Sequence, residues 1–591
     1  METLPEEIRR RAMFWAEDQS FDRDTRSEVK TLVDSSQYTE IVDRFYRDLQ
    51  FGTGGMRGKM GAGTARVNRY NIRRATSALA EYLTTCRMEG AKKIAIAYDS
   101  RHNSKEYARE CAGVFAAYGY KVYLTAEMRP VPMLSFMVRY FQCHAGVCIT
   151  ASHNPKEYNG FKVYWKDGGQ LVPPHDRAVT EFYRKRNDLS QIPYLSYSAA
   201  CQQGKIEEVG EQLDLSYFNK LRDLAPQSYT ARNLKIIYTP LHGTGIHVIP
   251  DALKCFGFHD IATPPAQAIP DGNFPTVASP NPEDPEALDA ALQMAREHQA
   301  DLILGTDPDA DRAACIVKLR DGSYYTLSGN QIICLLTDYL LHQQQEKNHD
   351  LSQQCVISTI VTSPMLNKIT KSYGCHYFET LTGFKWICHL IEAFEEGRIE
   401  PALKFLCGGE ESFGFLWGEF VRDKDAILTC AILADMVESY KTQGQDLMDR
   451  LHQLYQKFGI YSDSLHTFTH EGKAGADKIS RLMATLRQSP PATLGGNKLT
   501  AVQDHLDPEQ GTSRWLQDPR TLPSENVLQF YFEGGTRLSI RPSGTEPKIK
   551  LYLTSVTQPS ASTPISKDME RAQLNHTTLA TEVLSFLGKV S

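Results

Sequence analysis

The 591-residue sequence lacks the marks of four large classes of protein. No stretch approaches the ~18 consecutive apolar residues that span a bilayer. Met1 to Asp18 is charge-rich and has no apolar centre of the kind a signal peptide needs. There is no basic excess either: net charge is -6, so no overall positive field points to nucleic acid, and any phosphate-binding cations must be gathered locally. No C-x-x-C pair occurs among the 13 cysteines, which removes the zinc-ribbon and thioredoxin-like readings. Most of them, including Cys148, Cys315, Cys334 and Cys355, sit in apolar runs where thiols act as small hydrophobes. The expectation is a soluble, cytoplasmic protein in a reducing compartment, with neither membrane nor nucleic acid as partner.

What is present is an ordinary globular composition, 41% apolar and 23% charged, long enough for about four domains at roughly 150 residues each. Short apolar runs alternate with helix-period segments. Lys93–Tyr98 predicts a strand, Ser104–Tyr118 a helix, Lys121–Leu124 and Ala145–Thr150 further strands. The rhythm restarts with Leu234–Tyr238, Pro285–His298 and Asp301–Leu304, and again with Gly329–Gln343 and Cys355–Ile360. Two helical segments near Ala426–Tyr440 and Asp446–Phe458 lead through a polar stretch to a strand pair, Arg537–Ile540 and Ile549–Thr554; Gln558–Ser566 reads as a surface loop. The fold class is α/β: three similar α/β domains with mixed sheets and a C-terminal α+β domain. The boundaries are placed at 1–205, 206–321, 322–450 and 451–591.

Four loops carry chemistry, each after or between predicted strands, where ligands of open α/β sheets collect. Thr150-Ala151-Ser152-His153-Asn154-Pro155 could be a plain Asn-Pro turn. A serine hydroxyl used as a phosphate carrier needs proton management, however, and His153 and Lys162 are the local groups for it. In Asp307-Pro308-Asp309-Ala310-Asp311-Arg312, three carboxylates at alternate positions can converge on a hard cation. The EF-hand rival fails, with Arg312 where glycine is required and Lys318 where glutamate is. A solvated acidic turn remains open. Gly408-Gly409-Glu410-Glu411-Ser412-Phe413-Gly414 offers groups that hydrogen-bond sugar hydroxyls, or only a turn with incidental acids. Arg541-Pro542-Ser543-Gly544-Thr545-Glu546-Pro547-Lys548 is either a phosphate cradle or a hairpin turn. The glycine-rich stretch from Gly52 to Lys59 fails the P-loop pattern at Thr53 and Met60, which leaves Arg57 as a cation for the serine loop.

Taken in order, these loops resemble the α-D-phosphohexomutase superfamily over nearly the whole chain. The resemblance implies four domains around a central cleft. It implies a phosphorylated Ser152 and a Mg²⁺ held by Ser152, Asp307, Asp309 and Asp311. Arg57 and Arg312 would steady the phosphoryl group, with His153 and Lys162 handling protons. Thr382, Gly383, Lys385, Glu410 and Ser412 would grip the sugar. Arg422, Lys424, Arg541, Ser543, Gly544 and Thr545 would hold phosphate. The reaction implied moves phosphate between C1 and C6 of glucose through a bound 1,6-bisphosphate, with glucose 1,6-bisphosphate as activator and sugar phosphates as the small-molecule partners. Gly-Glu-Glu-Ser-Phe-Gly looks like the glucose-type loop. The metal loop departs from the Asp-Gly-Asp-Gly-Asp-Arg of many members. With the long N-terminal region and Leu241-His242-Gly243-Thr244-Gly245, it looks like the branch of phosphopentomutases and glucose-1,6-bisphosphate synthases. Mannose phosphate remains a further alternative, as does a paralogue that binds sugar phosphates without turnover. A simple metal phosphatase has no use for a second phosphate cradle. Oligomeric state is not legible.

Overall fold

The computed structural model describes residues 4–52, 54–186, 188–225, 232–469, 472–506, 518–543 and 548–590. They fall into two compact units, Met1–Ile316 with Gly414–Asp435, and Val317–Phe413 with Met436–Ser591.

The first unit holds two sheets. The strands Lys93–Tyr98 and Ala145–Ile149 are almost wholly buried and contain Ile, Val, Ala and Cys, the continuous apolar run of strands covered on both faces. They pair in parallel, and Lys121–Thr125 and then Ile206–Val209 extend the sheet on one side. On the other side Tyr158–Trp165 pairs antiparallel to Ala145–Ile149, and Gly55–Lys59 pairs antiparallel to Tyr158–Trp165. This mixed edge has a functional consequence: it sets Arg57 opposite Gly160, two residues from Lys162. The core below includes Ile94, Ile96, Val122, Val147, Phe161 and Val163, each fully buried. Burial of one such side chain is worth about 1.5–3 kcal/mol. The second sheet places Ile236–Thr239 parallel to both Ile261–Ala262 and Leu302–Thr306.

Three N-terminal helices, Glu6–Glu17, Arg23–Asp34 and Tyr38–Phe45, precede the first sheet. Trp15, Phe21, Val29, Leu32, Ile41 and Phe45 form a small core with Ala62 and Tyr70. Asp22 caps the second helix, accepting the N–H of Thr25.

In the second unit, Gln354–Thr359 lies between His376–Thr380 and Lys404–Glu410, parallel to both. The C-terminal sheet is antiparallel throughout, in the order Ile460–Thr469, Lys548–Thr557, Arg537–Pro542, Leu528–Phe532, Asn497–Asp504, Thr493–Leu494. The helices Gly472–Gln488 and Ile565–Val590 cover it through Leu482, Met483, Leu486, Leu579, Val583 and Leu587. The α/β class and the α+β character of the C-terminal region follow as expected. The loop predicted at Gln558–Ser566 gives way to helix from Ile565.

Candidate active site

The serine loop leaves the buried strand Ala145–Ile149 and turns at once, with the N–H of Asn154 donating to the carbonyl of Ala151 at 3.1 Å. Ser152 adopts φ 52°, the left-handed region, which costs a non-glycine residue about 1–2 kcal/mol. The conformation is held from below: the Ser152 N–H donates to Thr150 Oγ1 at 2.8 Å, and Thr150 Oγ1 donates to Asp309 Oδ2 at 3.1 Å. It aims the hydroxyl at the acidic loop, where Ser152 Oγ donates to Asp307 Oδ2 at 2.8 Å. His153 Nδ1 lies 3.2 Å from the same Oγ. Burial, then the nearby Arg312 and Arg57 charges, push the His153 imidazole well below its ordinary range, so it is neutral near pH 7.

The acidic loop follows the strand Leu302–Thr306. Asp307, Asp309 and Asp311 are all buried, with one oxygen of each inside a 4.8 Å group. Asp307 Oδ1 accepts the N–H groups of Asp311 and Arg312, both at 3.1 Å, and this folds the loop back on itself. Ala310 takes the turn at φ 48°. Gly243 allows the neighbouring loop to close on it, since a Cβ there would stand 2.3 Å from the Cα of Pro308. Thr244 then donates to the Pro308 carbonyl through both N–H and Oγ1.

Two lysines, Lys424 buried and Lys162 half-buried, meet this cluster. Lys162 Nζ lies 2.8 Å from Asp309 Oδ2 and 3.2 Å from Asp311 Oδ2. Lys424 Nζ is 3.2 Å from Asp311 Oδ2 and 3.2 Å from Asp423 Oδ1. Burial acts against the Lys162 charge, but Asp309 and Asp311 outweigh it and raise the ammonium above its usual range. Burial, then Asp309 and Asp311, push Asp307 well above the carboxylate range. Asp311 moves the other way: burial opposes its charge, yet Lys162, Lys424 and Arg312 hold it far below. Asp309 Oδ1 and Asp311 Oδ1 are buried with no hydrogen-bond partner among the described residues. Two orphaned carboxylate oxygens beside a serine hydroxyl and a third carboxylate are a hard-oxygen donor set, and they fit a small divalent cation such as Mg²⁺.

The outer cations are placed unequally. Arg57 is exposed, with Nη1 donating to Asn154 Oδ1 at 2.9 Å. Arg312 pairs with Glu283. Arg422 is fully buried, its guanidinium on the carbonyls of Glu419 and Val421 and its N–H on Ser135 Oγ at 2.8 Å. These contacts brace its own loop, and Lys424, two residues on, reaches the carboxylates. Asp423 accepts Tyr164 Oη at 2.7 Å and Gln170 Nε2 at 2.9 Å, and so fixes the stretch that delivers Lys424.

In the second unit, Glu410 is buried and its Oε1 accepts the N–H of Gly383 at 2.7 Å, tying the Glu-Glu-Ser loop to the Leu-Thr-Gly loop. Gly383 (φ 120°) leads into the helix Phe384–Glu395. Lys385 holds its ammonium 4.5 Å from the Trp386 ring centroid. Thr382 and Ser412 are half-buried, and Thr382 Oγ1 is buried without a hydrogen-bond partner among the described residues. Arg541 pairs with Glu525 at 3.1 Å, and the Ser543 N–H donates to the Lys548 carbonyl at 2.7 Å. Gly544 and Thr545 lie outside the described residues.

Four family descriptions match in sequence order: phosphoglucomutase/phosphomannomutase alpha/beta/alpha domain I over residues 48–189, domain II over 216–321, domain III over 328–458, and the C-terminal domain over 494–563. The chain belongs to the phosphoglucomutase/phosphomannomutase family. A phosphoglucomutase of Staphylococcus epidermidis is 37% identical over 533 residues, which covers 89% of this chain and 94% of that protein. One of Staphylococcus aureus is 35% identical over 540 residues, with 90% and 94% covered. A solved structure of a putative phosphomannomutase from Thermus thermophilus aligns with TM-score 0.65 at 20% identity, over 91% of this chain and 99% of that one. The open form of Paramecium parafusin, a phosphoglucomutase, aligns with TM-score 0.63 at 18% identity, over 92% and 96%. These two structures speak for the fold.

Within this family framework, sequence reasoning passed over several residues that build the site. Arg101 lies under the serine loop and bonds three of its carbonyls and that of Tyr158, where the next strand starts. Ser279 Oγ donates to the His153 carbonyl at 2.8 Å. Glu283 holds Arg312, and Asp423 positions Lys424. The available signal was modest: Asp99-Ser100-Arg101 directly follows a strand in the same sheet as the serine loop, at the end where ligands collect.

Proposed function

We propose that the chain interconverts glucose 1-phosphate and glucose 6-phosphate by way of a phosphoserine at Ser152 and a bound glucose 1,6-bisphosphate. The observation that carries this reading is Ser152 Oγ, 2.8 Å from Asp307 and beside the orphaned oxygens of Asp309 and Asp311. Relatives called phosphoglucomutase at 35–37% identity support it. Ser152, Asp307, Asp309 and Asp311 would hold Mg²⁺, which when bound supplies positive charge beside the phosphoserine.

The residues of the chain do the remainder. The phosphoryl group leaves Ser152 Oγ for the free sugar hydroxyl: a P–O bond to the sugar forms, and the P–Oγ bond breaks. As the sugar hydroxyl gives up its proton the released Ser152 Oγ takes one, an exchange that neutral His153 and the Lys162 ammonium manage, while Arg57 and Arg312 stabilise the group in flight. On return, the other phosphate of the bisphosphate passes to Oγ, and the second isomer is released. Thr382, Gly383, Lys385, Glu410 and Ser412 hold sugar hydroxyls. Arg541, Ser543, Gly544 and Thr545 hold the resting phosphate. Arg422 and Lys424 are further phosphate-side cations, and Lys424 also joins Lys162 in balancing the carboxylates. The site domains are those placed at 1–205, 206–321, 322–450 and 451–591.

A cytoplasmic setting is part of the proposal. None of the cysteines is in a disulfide, and among the described residues no helix is long and apolar enough to cross a membrane. The test has two readouts. Intact mass after incubation with glucose 1,6-bisphosphate should rise by one phosphate in the native chain and not in Ser152→Ala. In parallel, kcat/KM is compared on glucose 1-phosphate, mannose 1-phosphate and ribose 1-phosphate. Near-normal turnover by Ser152→Ala would refute the phosphoserine mechanism, and glucose turnover no better than ribose would refute the substrate.

A further inference from the structure

Every carbonyl from Ser152 to Pro155 is taken by a side chain from outside the loop. Arg101 Nη2 donates to the carbonyls of Ser152 (2.5 Å) and Asn154. Its Nη1 donates to those of Pro155 (2.9 Å) and Tyr158 (3.0 Å), and Ser279 takes His153. The Arg101 side chain is fully buried, with Nε 3.3 Å from Asp99 Oδ2. Asp99 is fixed in turn, accepting the Arg101 N–H at 3.0 Å and Ser104 Oγ at 2.7 Å through its other oxygen. From the acidic-loop domain, the Phe274 ring lies 5.0 Å from the guanidinium carbon. Gly272 lets that segment close in, since a Cβ there would be 2.6 Å from the His102 nitrogen. Asn273 Oδ1 meets His102 Nε2 at 3.0 Å.

We propose that Arg101, seated by Asp99 and Phe274, is the positioning residue that holds the serine loop in the left-handed turn aiming Ser152 Oγ at its acceptor. Arg101 touches only backbone of the loop and acts through it. A planar five-donor fork can serve four carbonyls at once; an ammonium with three donors on a flexible stem cannot. Phe274 makes the device reach across two domains of the first unit, so the serine loop and the acidic loop are set against each other by one buried cation. The inference rests on the phosphoryl-carrying role of Ser152 proposed above.

The full-length chain, Arg101→Lys and Phe274→Leu are compared for kcat and KM on glucose 1-phosphate with glucose 1,6-bisphosphate, per folded molecule, and for Tm. If the native chain shows neither turnover nor a phosphate on Ser152, the functional reading fails, and this inference with it. If the native chain is active, Arg101→Lys is expected to lose about 100-fold in kcat, the cost of a misplacement near 1 Å. Its KM should stay within about threefold, since no substrate contact is removed. Phe274→Leu, which keeps all four hydrogen bonds, is expected to lose about fivefold in kcat with KM likewise steady. A purely structural role would lower Tm while leaving kcat per folded molecule unchanged, and that result overturns the inference. Should Arg101→Lys fail to fold, Phe274→Leu decides alone: reduced kcat at constant KM supports the positioning role, and native kcat refutes it.

Discussion

Asp307 takes the N–H groups of Asp311 and Arg312 on one oxygen and the Ser152 hydroxyl on the other, inside a buried group of three carboxylates. Those demands conflict. Burial, Asp309 and Asp311 push its carboxyl well above the ordinary range, and a carboxyl raised on folding costs stability as pH climbs past its unfolded value. Asparagine can still accept both N–H groups on its oxygen and, with the direction reversed, donate from its nitrogen to Ser152 Oγ, while carrying no charge. Asp307→Asn is therefore expected to be at least as stable as the native chain in chelator at pH 8, by about 1–2 kcal/mol in urea titration, in the manner of active-site residues that trade stability for function. Its turnover should fall by more than about 100-fold, beyond what loss of an outer partner costs. A large loss of stability in chelator would refute the electrostatic account. The same residues show what could be read from sequence. Ser152 and the three aspartates stand in short loops after apolar strands, and Lys162 in the strand that follows the serine loop, where residue type and spacing announce the chemistry. Arg101, Ser279 and Glu283 act through backbone carbonyls or through a second side chain, and such partners leave no pattern until the fold brings them together.

Elements show the same division. The buried strands Lys93–Tyr98 and Lys121–Thr125 are legible as apolar runs between helix-period segments. The N-terminal helices were hidden by charge, although Val29 with Leu32 and Ile41 with Phe45 keep the i,i+3 and i,i+4 spacing of a buried stripe. The helix Ile565–Val590 was masked in the same way: its buried positions Ala572, His576, Leu579, Ala580, Val583 and Leu587 are helical in period but include a histidine. That histidine carries a consequence. His576 Nδ1 lies 2.8 Å from Ser555 Oγ, and its Nε2 lies 2.9 Å from Ser464 Oγ, which in turn meets His466 Nε2 at 3.2 Å. Burial, and then the His466 charge, push His576 down to about 4. The unfolded chain takes its proton near the ordinary value, so the stabilisation is complete above about pH 6.5 and is lost as pH falls toward 4. The loss amounts to at most about 3 kcal/mol, and less where water reaches the ring. His576→Gln should flatten the fall in urea midpoint between pH 6.5 and pH 4. An unchanged acid slope in that variant would remove His576 as its source.

At the scale of the whole molecule, the carboxylate cluster, both lysines and the serine loop belong to Met1–Ile316 with Gly414–Asp435, while the loops proposed above to hold sugar and phosphate belong to Val317–Phe413 with Met436–Ser591. Chain order does not give this division. The segment Gly414–Asp435 leaves the strand Lys404–Glu410 to join the first unit, and Lys424 travels with it to Asp311. A cation held by the aspartates stabilises only the state in which they are assembled, by RT ln(1 + [L]/Kd), about 2.7 kcal/mol at a hundredfold excess over Kd. For amides that exchange by opening of this site, that equals roughly 100-fold slower hydrogen exchange. Mg²⁺ is accordingly expected to slow exchange around Thr150–Pro155, Thr306–Arg312 and Arg422–Asp425, although the last lies more than a hundred residues along the chain. The antiparallel strands Leu528–Phe532 and Arg537–Pro542 should exchange at their metal-free rate. In Asp309→Asn the protection should vanish from all three segments together, because one donor set serves them all. Protection that survives Asp309→Asn, or that spares Arg422–Asp425, would show that the metal does not sit among the carboxylates that Lys424 balances.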